Sequence, residues 1–187
     1  MKPEDFDCRV VDDFCFFTKG PFSQWYGGGK DQEGGFVDPV SSQSFNCAEQ
    51  WMMVQKATLF RDWDIVGTIL QEKSPRKQKA LGRQVKNFDP VFWDEHKFGL
   101  VKRGNYLKFD QNPELFDFLF SFKESTVFVE AAPWDTVWGI GMGMHDEGVT
   151  DTVRWKGQNL LGLIMTQLRT DPYFKNQHEY SSALYFA

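Results

Sequence analysis

The sequence predicts a mainly helical α+β domain with a few short strands. Three observations lead there. The chain is 187 residues long, which is the length of one domain rather than two. Cap-and-proline signals that start helices recur along it, at Ser74-Pro75, Asp89-Pro90 and Asn112-Pro113. Strand-like patterning is confined to two short stretches.

The elements follow in order. Residues 13–18 (DFCFFT) are short, apolar and aromatic, and predict an early strand. A loop over 19–43 comes next, with a Gly-rich insertion at about 27–35 that suits lid material rather than a linker. Asn46 reads as an N-cap with Glu49 completing a capping box, for a helix to about Phe60. A second helix is expected over about 64–72. Ser74-Pro75 opens a third that stops at Gly82. Asp89-Pro90 opens a helix to about Lys108, and Asn112-Pro113 one to about Phe122. Residues 126–131 (TVFVEA) alternate and are β-branched, as a strand does. A Gly- and Trp-rich loop spans 133–155. Leu160, Leu161, Ile164, Met165 and Leu168 then recur at helical spacing over about 159–169. Five or so helices and few strands make one domain over 1–187, its motif-bearing part at about 14–170. The tail beyond Thr170, with Tyr173, Phe174, Tyr180, Tyr185 and Phe186, is expected to pack back on it.

Composition narrows the function classes. Charged residues at 25% and hydrophobic ones at 41% exclude a disordered chain. A net charge of −5 argues against coating nucleic acid by bulk charge. Cys8, Cys15 and Cys47 form no CxxC pair, which suits a reduced, intracellular protein, cytoplasmic or nuclear. No signal-peptide h-region and no run long enough for a membrane helix is seen, so no membrane partner is expected. His96, His145 and His178 are scattered, so neither a metal nor another cofactor is expected. GxSxG, GxxxxGK[ST] and GxGxxG are absent. The unusual number is the aromatic one: nineteen Phe, seven Trp and five Tyr. A core uses some of these, and a pocket for a flat ring would use the rest.

Three constellations could carry chemistry. Glu49, Met53, Lys56 and Phe60 fall on one stripe of the first helix. Either Glu49 only closes the capping box while Lys56 reaches water, or Lys56 is desolvated with Glu49 as its partner and becomes a nucleophile toward carbonyl carbon. Residues 133–143 (PWDTVWGIGMG) place Asp135 between Trp134 and Trp138, with glycines that let backbone amides approach a ligand. The alternative is a tight aromatic turn capped by Asp135. Between Lys73 and Lys86 the chain has six bases and no acid: Lys73, Arg76, Lys77, Lys79, Arg83 and Lys86. That is either a solvated helix face or a phosphate-binding patch, with Arg83 the prime contact.

The blocks 21–25 (PFSQW), 49–57 (EQWMMVQKA), 60–62 (FRD), 81–85 (LGRQV), 108–115 (KFDQNPEL), 129–141 (VEAAPWDTVWGIG), 155–162 (WKGQNLLG) and Leu168-Arg169 occur in an order that resembles the NADAR family. The resemblance spans residues 21–169. It implies a mainly helical domain that hydrolyses N-glycosidic bonds, in ADP-ribose attached to guanine of nucleic acid or in ribosylamino-pyrimidine phosphates of riboflavin synthesis. The family is also linked to NAD-derived ligands, so a non-catalytic ADP-ribose or NAD reader is the third reading.

Matched positions imply Glu49, Lys56 and Asp135 as the catalytic set. Ser23, Trp25, Arg83, Trp93, Asn112, Trp138, Gly139 and Asn159 are the implied substrate-binding residues. Expected partners are therefore ADP-ribosylated nucleic acid or a phosphoribosyl small molecule. The chain departs from the family where Phe45-Asn46-Cys47 replaces the usual Tyr-Pro-Thr, where Gln50 replaces the usual His, and at the Gly-rich insertion.

Overall fold

The computed structural model describes residues 5–27 and 34–176. Most of the Gly-rich insertion, the tail aromatics Tyr180, Tyr185 and Phe186, and His178 lie outside the described residues. The elements are mostly helical, as the cap signals predict. Two units emerge, residues 1–23 with 113–187, and residues 24–112.

The first unit is built on a three-stranded sheet. β1 (Cys8–Val11) pairs antiparallel with β2 (Phe14–Phe17), and β2 pairs parallel with β5 (Val127–Glu130). Parallel pairing fits the burial of successive residues in both strands, Cys15 to Phe17 in β2 and Phe128 with Val129 in β5: such strands are covered on both faces. α6 (Leu160–Thr170) packs its predicted stripe of Leu161, Ile164, Met165 and Leu168 inward against β5. Phe22 ends a short 3₁₀ turn (Gly20–Phe22) and stacks with Phe118 of α5 (Pro113–Phe120), with Phe122 and Phe128 edge-on or tilted beside it. Of the tail, Phe174 is buried against Phe116 and Phe120.

The second unit centres on α1 (Ala48–Leu59), which packs against α2 (Trp63–Gln71), α3 (Pro75–Gly82) and α4 (Pro90–Asp110). Buried residues run continuously from Ala48 to Val54, so α1 is covered almost all round. The two-residue strands β3 (Phe36–Val37) and β4 (Ser44–Phe45) lay Phe36 and Phe45 against Trp51. The Trp51 indole donates to Leu100 O at 2.8 Å and lies against Gly104, where any Cβ would stand 2.3 Å from the ring. Gly104 is thus the close-approach point of α1 and α4.

Two differences from the sequence reading matter for function. β1, β3 and β4 were not expected: β3 and β4 are only two residues long, and β1 (CRVV) has a charged residue inside a four-residue stretch and lacks the aromatic run of β2. The expected capping box does not form: Cys47 is the N-cap of α1 without a side-chain cap bond, and it is the Gln50 side chain, not that of Glu49, that accepts the Asn46 N–H, at 2.8 Å. Gln50 also donates to the carbonyls of Ile69, Leu70 and Glu72, which ties α1 to the end of α2. Glu49 is thereby released from capping.

Candidate active site

The released carboxylate is inside. Glu49 is 2% exposed at the start of α1. Its backbone N–H donates to Gln24 O at 2.9 Å, and its Oε2 accepts the Trp25 indole N–H at 3.2 Å. A carboxylate at a helix N-terminus also gains from the helix dipole. Trp25, itself 43% exposed, is therefore a half-open ring anchored to a buried acid.

Two turns along α1 stands Lys56, half-buried. Its amine donates to Gly82 O at 2.9 Å, lies 4.0 Å from the Phe88 ring centroid and 5.9 Å from that of Trp93. Burial among these rings holds its pKa below the ordinary lysine value, and the nearby Arg83 guanidinium lowers it further. Of the second sequence reading of this lysine, the partial desolvation is seen, while the partner of its amine is the Gly82 carbonyl. Gly82 does more than end α3. A Cβ there would meet Met53 Sδ at 2.0 Å, so the absence of a side chain lets α3 close onto α1 and brings its carbonyl to Lys56.

Trp93 and Arg83 thus lie around Lys56, and Trp25 around Glu49. Asn112 has another task. Its amide donates to Lys108 O at 2.7 Å and to Gly35 O at 2.9 Å, closing the end of α4.

Sequence reasoning gave Lys108 no role, though its block was noted. Lys108 is completely buried on α4, 5.4 Å from the rings of both Tyr26 and Phe109. Burial lowers its pKa to about 7, against a smaller opposing effect of Cys47. The signal was present: Lys97, Val101, Gly104 and Asn105, and Lys108 repeat at helical spacing, and the whole stripe is buried.

In the other unit, Asp135 Oδ1 accepts from the amides of Val137 (2.9 Å) and Trp138 (2.8 Å), so it caps its own turn. Oδ2 forms no hydrogen bond among the described residues. The carbonyls of Val137 and Trp138 in turn receive the amides of Leu160 and Leu161, which closes the N-terminus of α6. Trp138 is half-buried while Trp134 is 80% exposed. The glycines serve the loop itself. A Cβ at Gly139 would lie 2.8 Å from Glu130 O, and Gly141 has φ +65° with its amide on Asp135 O. Asn159, at φ 53°, is buried and clamps β5: its side chain accepts from Glu130 N at 2.9 Å and donates to Phe128 O at 3.0 Å. Ser23 closes the 3₁₀ turn through its amide on Gly20 O. Among the described residues no cluster of three metal-ligating side chains occurs, and no helix is long and apolar enough to cross a membrane.

Comparison with known proteins places the chain beside a family model, three curated relatives and a solved structure. The family model described as the NADAR domain matches residues 15–171. An N-glycosidase of Acanthamoeba polyphaga mimivirus is 39% identical over 153 residues, covering 80% of this chain and 86% of that one, and the irg-1 protein of Caenorhabditis elegans is 34% identical over 71% of this chain and 63% of its own length. A chloroplastic riboflavin biosynthesis protein PYRR of Zea mays is 35% identical over 58% of this chain, which corresponds to 16% of the maize protein. The NMR structure of the Escherichia coli protein YbiA shares the fold, with a TM-score of 0.68 over 94% of both chains at 21% identity.

Proposed function

The chain belongs to the NADAR domain family, and from that premise we propose that it is an N-glycosidase that hydrolyses a ribosyl C–N bond, with ADP-ribose on guanine of nucleic acid as its substrate. The observation that carries the chemistry is the half-buried Lys56, on the same helix as the buried Glu49 and with its charge disfavoured by burial and by Arg83. The N-glycosidase relative supports the reaction class.

In this reading neutral Lys56 attacks C1 of the ribose, and the bond from C1 to the base nitrogen breaks. The Glu49 carboxylate takes the proton that the attacking nitrogen loses and passes it to the departing base nitrogen. The lysine nitrogen then forms a double bond to C1 as the bond from C1 to the ring oxygen breaks, giving a Schiff base, and the remaining proton of the lysine nitrogen passes to the ring oxygen, which leaves as a hydroxyl. Water adds to the imine carbon and releases ADP-ribose, which restores the free amine. The indole of Trp25 holds Glu49 in place through the bond at 3.2 Å. By the family resemblance, Asp135 stabilises positive charge on the anomeric carbon, and Trp138 stacks on a ring of the substrate. Asp135→Asn is the separate test of that assignment.

A second reading is favoured by the riboflavin biosynthesis relative: hydrolysis of a ribosylamino-pyrimidine phosphate. One comparison decides. The protein is incubated with an ADP-ribosyl-guanine oligonucleotide, with a ribosylamino-pyrimidine phosphate and with free ADP-ribose. Release is followed by chromatography and binding by calorimetry. Release from the oligonucleotide supports the proposal; release from the pyrimidine alone selects the second reading; binding without release makes the protein a reader.

A further inference from the structure

We propose that the surface formed by Trp63, Phe88, Phe92, Arg83 and Lys86 is a docking platform for single-stranded nucleic acid on either side of the nucleotide being processed. This rests on the glycosidase reading and extends it to residues outside the reacting group.

Exposed rings are the first observation. Trp63 is 62% exposed, Phe88 42% and Phe92 41%, whereas Phe36, Phe45 and Phe60 of the same unit are nearly completely buried. The rings form one patch. Phe60 lies edge-on beneath both Phe88 (5.2 Å) and Phe92 (6.2 Å). Lys86 donates its amide to Asp62 at 2.9 Å, and its amine pairs with Asp64 at 3.8 Å, which brackets Trp63 on both sides. The patch borders the candidate site, since Lys56 stands 4.0 Å from the Phe88 ring.

Charge is the second observation. The segment from Lys73 to Lys86 is α3 and its exit turn, and Lys73, Arg76, Lys77, Arg83 and Lys86 are all exposed. Among the described residues Lys77 and Lys86 have acid partners at 3.8 Å, the partly exposed Glu72 and the exposed Asp64; Lys73, Arg76, Lys79 and Arg83 have none. Exposed pairs of this kind contribute little and are readily exchanged for phosphate. Of the other acids at the patch, Asp62 and Asp89 are committed to capping α2 and α4, and Asp94 binds Lys97. Aromatic faces beside unpaired cations are what sequence-tolerant binding of single strands requires: bases stack on rings while cations follow the backbone. A free small-molecule substrate with one phosphate has no use for three exposed rings.

The test compares ADP-ribosyl-guanosine as a mononucleoside with the same group in a single-stranded 12-mer. Phe92→Ala, Trp63→Ala and Lys86→Gln lie outside the groups assigned to bond cleavage. Each is expected to lower kcat/KM on the 12-mer about five- to fiftyfold, with kcat/KM on the mononucleoside unchanged within about twofold. Lys86→Gln is also expected to flatten the salt dependence of 12-mer binding by about 0.7 in the log–log slope. Equal loss on both substrates, or no loss on the 12-mer, overturns the platform. If the wild-type protein cleaves neither substrate, the ADP-ribosyl-guanine reading falls by itself, and fluorescence anisotropy with an unmodified 12-mer decides the platform. Weaker binding by the three variants upholds it. Binding unchanged by them, or equal binding of a duplex, overturns it.

Discussion

The amine of Lys56 is held 2.9 Å from the carbonyl oxygen of Gly82, and Gly82 can present that carbonyl because it has no side chain to strike Met53. Position 82 therefore couples helix packing to the placement of the candidate nucleophile. Gly82→Ala puts a Cβ against Met53 Sδ. It is expected to destabilise the protein by about 1–3 kcal/mol through overpacking and to lower activity more than stability alone explains. Met53→Ala in the same chain should recover much of both. Urea denaturation and kcat/KM measured around the double-mutant cycle check this; additive effects would break the link.

Lys56 itself gives a chemical prediction. Borohydride added during turnover is expected to trap a ribose adduct on the peptide containing Lys56, detected by mass spectrometry, and Lys56→Ala should lower kcat far more than binding. The pKa of Lys56 is depressed, first by burial and then by Arg83, so the neutral amine appears at lower pH than for an ordinary lysine. Activity should rise with pH as Lys56 loses its proton. In Arg83→Gln one depressing charge is gone, and the ascending limb of the kcat/KM profile should move to higher pH.

Trp25 and Glu49 make a third test. Trp25→Phe keeps an aromatic ring and removes the indole N–H that donates to Glu49 Oε2. A hydrogen bond to a charged group contributes about 1.5–3 kcal/mol. The variant is expected to fold normally, since the ring is nearly half exposed, and to lose about tenfold or more in kcat with little change in KM. Wild-type kcat in Trp25→Phe would show the contact to be incidental.

The fold was legible in the sequence wherever a helix begins with a cap and a proline. α3, α4 and α5 start where Ser74-Pro75, Asp89-Pro90 and Asn112-Pro113 place them. The start of α1 was read one residue early, because Asn46 and Cys47 both precede an acid or amide at the required spacing, and spacing cannot tell which side chain turns back. Glu49 and Lys56 were recognisable as a pair on one stripe. Which of them is buried depends on Phe88, Trp93 and Gly82, which are distant in sequence and carry no local mark. Lys108 went unremarked for a different reason: a lysine among apolar residues is ordinarily expected to reach water.

Lys108 predicts an unusual pH dependence. Its pKa falls from the ordinary lysine value to about 7 on folding. Between pH 7 and about 10 the unfolded chain therefore holds a proton that the native one has released. The native state is then favoured as pH rises through this window, by up to about 1.4 kcal/mol per pH unit. Below pH 7 the full penalty of charging a buried amine is present. Replacing Lys108 with Met should remove this slope. Denaturation at pH 6, 7.5 and 9 for the wild type and Lys108→Met would show it; parallel profiles would refute it.

Asn159 separates a clamp from a ligand contact. Asn159→Ala leaves Glu130 N–H and Phe128 C=O without their partner and puts a Cβ-branched-free but chiral residue at φ 53°. A loss of about 3–5 kcal/mol is expected. Asn159→Gly, which tolerates the backbone angle, should lose less. Equal Tm values for both variants and the wild type would exclude the clamp.

The parallel pairing of β2 with β5 has a consequence for the order of events on the ribosome. β5 is the only strand of its sheet made after residues 24–112, so the growing chain completes β1 and β2 and then the whole second unit before the strand that covers them exists. At roughly 5–20 residues per second, that delay lasts several seconds. Phe14 to Phe17 must pass this interval with one edge unpaired, while the helices of residues 24–112 already have all their sequence partners. The helical unit should therefore be protected from proteolysis on nascent chains earlier than the sheet of β1, β2 and β5.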